Sequence, residues 1–150
     1  MKRAVFPGSF DPITLGHCEI IVKACEIFDE VIVSVGNNIQ KKYMFSIDQR
    51  LNFISKEFKG NSKVSVEKYE GLTVDFCKSK NIKHMVRGLR NPADFEFEKK
   101  IALFNKSLEN TETIFLLTSP NNAFISSSMV REIMENGGNY KKFVPNSVTI

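Results

Sequence analysis

Val5 to His17, VFPGSFDPITLGH, is the stretch on which the reading of the whole chain turns. The apolar run Arg3-Ala4-Val5-Phe6 leads into it and predicts a strand. Pro7-Gly8 predicts the end of that strand, because proline lacks an N–H and glycine tolerates open backbone angles. Asp11-Pro12 predicts a further turn, and Thr14-Leu15-Gly16-His17 runs directly into a helical pattern. Strand, tight loop and helix start therefore follow one another within a few residues. A helix start presents unpaired N–H groups and a partial positive charge, which suits an anionic ligand. His17, one of two histidines in the chain, sits where it can reach such a ligand.

Outward from this point the chain alternates regularly. Ile21, Ala24, Cys25 and Phe28 recur at helical spacing with Glu19, Lys23 and Glu26 between them, so a helix is expected over about residues 16–28. Val31–Val35 is a β-branched run of the kind buried on both faces of a parallel sheet. A loop with Lys41 and Lys42 follows, and Ser46-x-x-Gln49 reads as a capping box. Further strands are expected at about 63–69, 83–87 and 113–117, and further helices at about 71–81, 94–108 and 129–136. Phe97, Ile101, Phe104 and Leu108 make an apolar stripe on the long helix after Asn91-Pro92, suited either to the core or to another subunit. Five strands alternating with helices imply a single domain over 1–150: an α/β, Rossmann-like, doubly wound five-stranded parallel sheet with helices on both faces.

The bulk properties agree with one ordinary globular domain. The 150 residues are 42% hydrophobic and 25% charged, and the net charge of +4 is mild. That charge suits phosphate ligands, and no nucleic-acid or membrane partner is expected. The N-terminus does not read as a signal peptide. Three cysteines, Cys18, Cys25 and Cys77, form no C-x-x-C pair and read as reduced thiols. No His/Cys metal cluster is expected. His84 reads as structural, and Asp94, Glu96 and Glu98 as residues favoured by a helix dipole.

In a doubly wound sheet, ligands bind beyond the carboxyl ends of the strands. Each expected strand is followed by a loop with ligand-ready groups: Ser9–His17, Lys41, Gly71–Thr73, Arg87–Arg90 and Thr118–Ser128. Such groups suit attack of a phosphate oxygen on a nucleotide α-phosphorus, which needs two anions aligned and charge stabilised as pyrophosphate leaves. Lys41 can supply a point charge, Arg87 and Arg90 forked donors, and Ser126–Ser128 a helix start for the β- and γ-phosphates.

Gly8-Ser9-Phe10-Asp11-Pro12-x-Thr14-x-Gly16-His17 resembles the signature of nucleotidyltransferases with a (T/H)-x-G-H motif. Beyond it come Lys41-Lys42-Tyr43-Met44-Phe45, Gly71-Leu72-Thr73-Val74-Asp75-Phe76, Arg87-Gly88-Leu89-Arg90, Asp94-Phe95-Glu96-Phe97-Glu98 and Phe124-Ile125-Ser126-Ser127-Ser128. In this order they resemble the bacterial phosphopantetheine adenylyltransferases over nearly the whole chain. The resemblance implies reversible transfer of AMP from ATP to 4′-phosphopantetheine, giving dephospho-coenzyme A and pyrophosphate without a covalent intermediate. It implies His17, Lys41 and Arg90 as catalytic, with His17 stabilising the transition state. Ser9, Lys41, Thr73 and Arg87 are implied to bind phosphopantetheine. Ser9, Phe10, His17, Gly88, Leu89, Arg90, Glu98, Asn122, Ala123, Phe124, Ile125, Ser126, Ser127 and Ser128 are implied to bind ATP. Mg2+ bound with ATP, feedback inhibition by coenzyme A, a homohexamer and a cytoplasmic location are implied as well.

The chain departs from the family pattern at four places. Ser9 stands where threonine is usual, Asn91-Pro92 follows Arg90, Phe97 replaces a frequent tyrosine, and the tail ends soon after Phe143-Val144-Pro145. The last predicts a shortened C-terminal helix. Two other readings are a related transferase acting on glycerol 3-phosphate, choline phosphate or nicotinamide mononucleotide, and a catalytically silent nucleotide- or coenzyme A-binding regulator. The motifs at 71–76 and 87–90 argue against the first, and His17, Lys41, Arg87 and Arg90 together against the second.

Overall fold

The computed structural model describes residues 1–150. Strands and helices alternate throughout: β1 (Arg3–Gly8), α1 (Leu15–Ile27), β2 (Glu30–Gly36), α2 (Ile47–Glu57), β3 (Val64–Tyr69), α3 (Thr73–Ser79), β4 (His84–Leu89), α4 (Pro92–Glu109), β5 (Glu112–Leu117) and α5 (Ser127–Glu135). The five strands form one parallel sheet in the order β3-β2-β1-β4-β5. The chain thus builds outward from β1 in one direction, then returns and builds outward in the other. The expected doubly wound α/β architecture is borne out, and its switch point lies between β1 and β4.

The two-residue period of the strands sorts their side chains onto two faces. Ala4 and Phe6, Val31, Val33 and Val35, and Val86 join the larger core with Ile20, Ile21 and Ala24 of α1, Phe53 and Ile54 of α2, and Val130 of α5. The intervening Val5, Ile32 and Met85 meet Val74 and Cys77 of α3 and Ile82 in a smaller core on the other face. Continuous apolar strands are what a sheet covered on both sides requires.

Three boundaries differ from expectation. β1 does not stop at Phe6: Pro7 and Gly8 stay in register with Ser34 and Val35 of β2. Proline is tolerated in this central strand because its β4 side pairs only at Val5–Met85, and the Arg87 guanidinium donates to the Pro7 carbonyl. β4 likewise continues through Gly88 and Leu89. Pro92 does not precede α4 but opens it at the first turn, where its missing N–H costs nothing, with Asn91 as the N-cap donating no bond but accepting one from Asp94 N–H. After α5 only one 3-10 turn forms, at Tyr140–Lys142. No helix is long and apolar enough to cross a membrane.

The apolar stripe of α4 is not core within this chain. Glu98 is the only buried residue of the eighteen in that helix, while Phe97 and Phe104 are 66% and 70% exposed.

Candidate active site

The loop after β1 is shaped by Phe10, Asp11 and Thr14. Phe10 adopts a left-handed backbone with φ 48°, a conformation a bulky residue keeps only when its surroundings hold it. They do: its buried ring stands edge-on to Phe6 and to His17, with ring centroids 5.4 and 4.9 Å away. The Asp11–Pro12 bond is cis. Both Asp11 carboxylate oxygens accept backbone N–H groups, from Met44 and Phe45, at 2.9 Å. That pins the Lys41–Phe45 loop to the β1 loop.

Thr14 then caps α1. Its hydroxyl accepts from His17 N–H, and its own N–H donates to His17 Nδ1 at 3.0 Å. An Nδ1 that accepts an N–H carries no proton, so the neutral ring bears its hydrogen on Nε2. Loss of hydration, with the Arg87 and Arg90 guanidinium groups nearby, lowers the His17 pKa to about 4. At neutral pH His17 is therefore an uncharged donor, its Nε2–H the ring's one free polar group.

Two cavities open over the carboxyl ends of the strands. The larger, about 640 Å³, lies on the α3–α4 side and is lined by Lys41, Tyr43, Tyr69, Thr73, Met85 and Asn105 among others. The smaller, about 320 Å³, lies on the α1–α5 side and is lined by Phe10, His17, Gly88, Arg90, Ser126, Ser127, Ser128 and Arg131 among others. Pro7, Gly8, Ser9, Arg87 and Glu98 line both and form the wall where they meet. The residues expected to bind phosphopantetheine therefore gather on one cavity and most of those expected to bind ATP on the other. His17 and Arg90 share the smaller one.

Several of these side chains already have partners. Lys41 Nζ reaches Ser9 Oγ at 3.2 Å across the exposed lip. Arg87 holds Glu98 with two bonds of 2.7 and 2.9 Å and donates a third to Pro7 O. Of its five N–H donors, two stay free for a ligand. Glu98 was expected from the helix dipole and, by resemblance, as an ATP contact; here it is buried, lines both cavities and orients Arg87. Arg90 pairs with Asp94 and donates to the Ile125 carbonyl, so the dipole-favoured Asp94 is also a partner of the site. Ser126 caps α5 by accepting from Met129 N–H, Ser127 Oγ donates to Pro12 O, and Ser128 Oγ accepts from Arg131. Only Ser127 gives up its O–H, so the hydroxyl hydrogens of Ser126 and Ser128 stay available beside the first-turn N–H groups of α5. Thr73 and Tyr69 hydroxyls lie 3.0 Å apart.

Four expected ATP contacts sit elsewhere. Leu89 is buried away from both cavities. Asn122 turns its amide to Glu19. Ala123 lies outside the lining, and Phe124 is exposed with its ring edge-on to Phe143. Conversely, the sequence reading missed Arg131, which lines the smaller cavity and donates to Asp11 O at 2.8 Å. Its signal was the three-residue spacing from Ser128 on one helical turn. It also missed Arg50, buried and donating to the Ser9, Gly36 and Phe45 carbonyls while lying 3.8 Å over the Tyr43 ring. A cation on an amphipathic helix gives no hint of burial.

The cytidylyltransferase-like family model matches residues 5–133. The chain is 54% identical over all its 150 residues to a phosphopantetheine adenylyltransferase of Flavobacterium psychrophilum, covering 99% of that protein. It is 55% identical over 148 residues to one of Christiangramia forsetii, with 99% of this chain and 98% of that one covered. This chain is a nucleotidyltransferase of the phosphopantetheine adenylyltransferase family. Among solved structures, a putative nicotinate-nucleotide adenylyltransferase of Vibrio parahaemolyticus superposes with a TM-score of 0.68 at 21% identity, covering 98% of this chain and 96% of that one. A bifunctional NMN adenylyltransferase/ADP ribose pyrophosphatase of Francisella tularensis superposes with a TM-score of 0.71 at 19% identity; 97% of this chain covers 45% of that one. At those identities the likeness is one of fold.

Proposed function

We propose that this enzyme transfers AMP from ATP to 4′-phosphopantetheine, giving dephospho-coenzyme A and pyrophosphate, and that the reaction runs in both directions. The observation that carries the reading is the pair of cavities meeting at Ser9 and Arg87, with Lys41 on one side and His17 on the other. A phosphate held by Lys41, Ser9 and the free Arg87 donors faces an α-phosphate held by His17 Nε2–H. An acceptor oxygen attacks that phosphorus from one side while the bond to the bridging oxygen of pyrophosphate breaks on the other. The protein supplies alignment and charge stabilisation, and no side chain acts as a nucleophile. Arg90, Arg131 and the N–H groups at the start of α5 suit the β- and γ-phosphates. Thr73 suits the pantetheine arm.

Magnesium fits as a companion of ATP. The carboxylates that border the smaller cavity, Asp11, Asp94 and Glu98, are each engaged by N–H donors or guanidinium groups. The ion would be held by phosphate oxygens and water, and would offset charge on the departing pyrophosphate. Coenzyme A carries the same pantetheine arm and is the expected feedback inhibitor at the larger cavity. The exposed apolar stripe of α4 supports a contact between subunits, and the homohexamer implied by the resemblance would place it there. A cytoplasmic location keeps the free thiols of Cys18, Cys25 and Cys77 reduced.

The test is pyrophosphate release from ATP and Mg2+ with 4′-phosphopantetheine, compared with glycerol 3-phosphate, choline phosphate and nicotinamide mononucleotide. Turnover with 4′-phosphopantetheine alone is the expected result. Turnover with another acceptor instead, or with none, would refute it.

A further inference from the structure

One polar cluster stands just outside the smaller cavity and joins two elements that border it. Four donors converge on the Glu19 carboxylate. Ser119 N–H and the Lys23 ammonium reach Oε1 at 2.9 and 3.1 Å, and Ser119 Oγ–H and the Asn122 amide reach Oε2 at 3.1 and 2.9 Å. Partial burial opposes its ionisation, but these bonds outweigh that and hold its pKa down to about 2. Lys23 also donates to the Leu117 carbonyl. At Gly16 the loop is within ordinary contact range: an added Cβ would sit 3.7 Å from Asn122 O and 3.9 Å from the Thr118 methyl. Gly16, Glu19 and Lys23 are spaced by three and four residues, one face of α1. The segment from Leu117 to Asn122 is thus seated on a single stripe of the helix that also carries His17.

That seat bears on the cavity directly. Thr118 within the seated loop, Ile125 three residues beyond it, and Gly16 and Ile20 of α1 all line that cavity. How the loop is held on α1 therefore sets where Thr118 and Ile125 stand in the lining relative to His17.

We propose that Glu19 is a positioning residue for the nucleotide, fixing the 117–122 loop against α1 so that the smaller cavity keeps the width and the alignment with His17 that ATP requires. The proposal rests on the reading of that cavity as the ATP site. Glu19 touches no substrate; it acts through Ser119 and Asn122. Glu19→Gln keeps the shape of the side chain but turns an amide NH2 toward two donors, so it should behave like Glu19→Ala.

The experiment measures both Michaelis constants, ATP binding by calorimetry without acceptor, and thermal unfolding, for wild type, Glu19→Gln, Glu19→Ala and Lys23→Met. For both Glu19 variants the expected result is a KM for ATP and an ATP Kd raised roughly tenfold, as for a misplaced binding wall. KM for 4′-phosphopantetheine should stay within about twofold and Tm within a few degrees, and Lys23→Met should show a smaller shift of the same kind. Equal rises in both Michaelis constants with a large loss of Tm would make Glu19 a support of the fold, and unchanged ATP binding would give it no role; either overturns the proposal. Failure of wild type to bind ATP would overturn the reading of the cavity, and the proposal with it.

Discussion

The backbone N–H of Thr14 donates to Nδ1 of His17 at 3.0 Å, and this one bond sets the chemistry of the imidazole. It assigns the proton to Nε2 and makes the ring a neutral donor. In the free protein, 15N shifts should report the Nε2–H tautomer, with no titration above about pH 5, as a pKa near 4 requires. The unfolded chain takes up a proton near pH 6.5 that the folded ring refuses until about pH 4. The contribution of His17 to stability is therefore full above pH 6.5 and lost as pH falls to 4. A ring titrating near 6.5 would contradict the assignment. His17→Ala should lower turnover on the order of a hundredfold, with ATP binding affected less.

Lys41 stands on the open lip, bonded to Ser9 Oγ at 3.2 Å. Lys41→Ala should reduce kcat/KM for 4′-phosphopantetheine roughly tenfold or more, as for losing a charge-assisted bond to phosphate. Stability should change by less than about 0.5 kcal/mol, the usual range for exposed positions. Urea unfolding and steady-state kinetics on the same preparation separate the two effects. Unchanged kinetics would return Lys41 to the solvated loop.

Glu98 is 7% exposed and grips an Arg87 whose side chain is 30% exposed. Removing one partner of a buried pair strands the other charge, but water reaches this arginine and softens the cost. Glu98→Ala should destabilise the fold by about 1–2 kcal/mol and raise KM for the acceptor, since Arg87 loses its orientation. Denaturant unfolding with acceptor titration checks both.

Gly88 is required by packing as well as by any ligand. A Cβ there would lie 2.8 Å from Ile20 Cγ1. Gly88→Ala should cost roughly 1–3 kcal/mol through overpacking. In a double-mutant cycle Ile20→Ala should offset part of that cost. Additive losses would show that the two positions do not compete for space.

The α4 stripe is testable by size. Phe104→Asp places a charge on a face that is 70% exposed at that residue in the isolated chain. It should lower the sedimentation coefficient toward that of a monomer while leaving the monomer fold intact by circular dichroism. A wild-type protein that sediments as a monomer would remove the hexamer from the proposal.

Much of this could be read before any coordinates. Val31–Val35 announced a strand buried on both sides, and Ser46-x-x-Gln49 the start of α2, because those signals are local: burial on two faces needs continuous apolar residues, and a capping box spans four positions. The Ser9–His17 motif likewise announced a loop and helix start fit for phosphate. Pro7-Gly8 misled at the strand end, since the tolerance for a missing N–H depends on β4 pairing with β1 only at Val5–Met85, eighty residues away.

From the order of residues alone came the alternation of elements, the doubly wound sheet and the rim on which the ligand groups gather, all governed by periodicity and short-range backbone chemistry. Only the folded chain decided which groups are free to act. It locked Arg87 to Glu98 and Arg90 to Asp94, turned the Ser127 hydroxyl to the Pro12 carbonyl, left His17 neutral, and turned Glu19 from a solvent-facing spacer into the seat of a loop a hundred residues on. Hydrogen bonds, burial and pKa depend on neighbours in space, and those neighbours exist only once the sheet has brought distant loops to one edge.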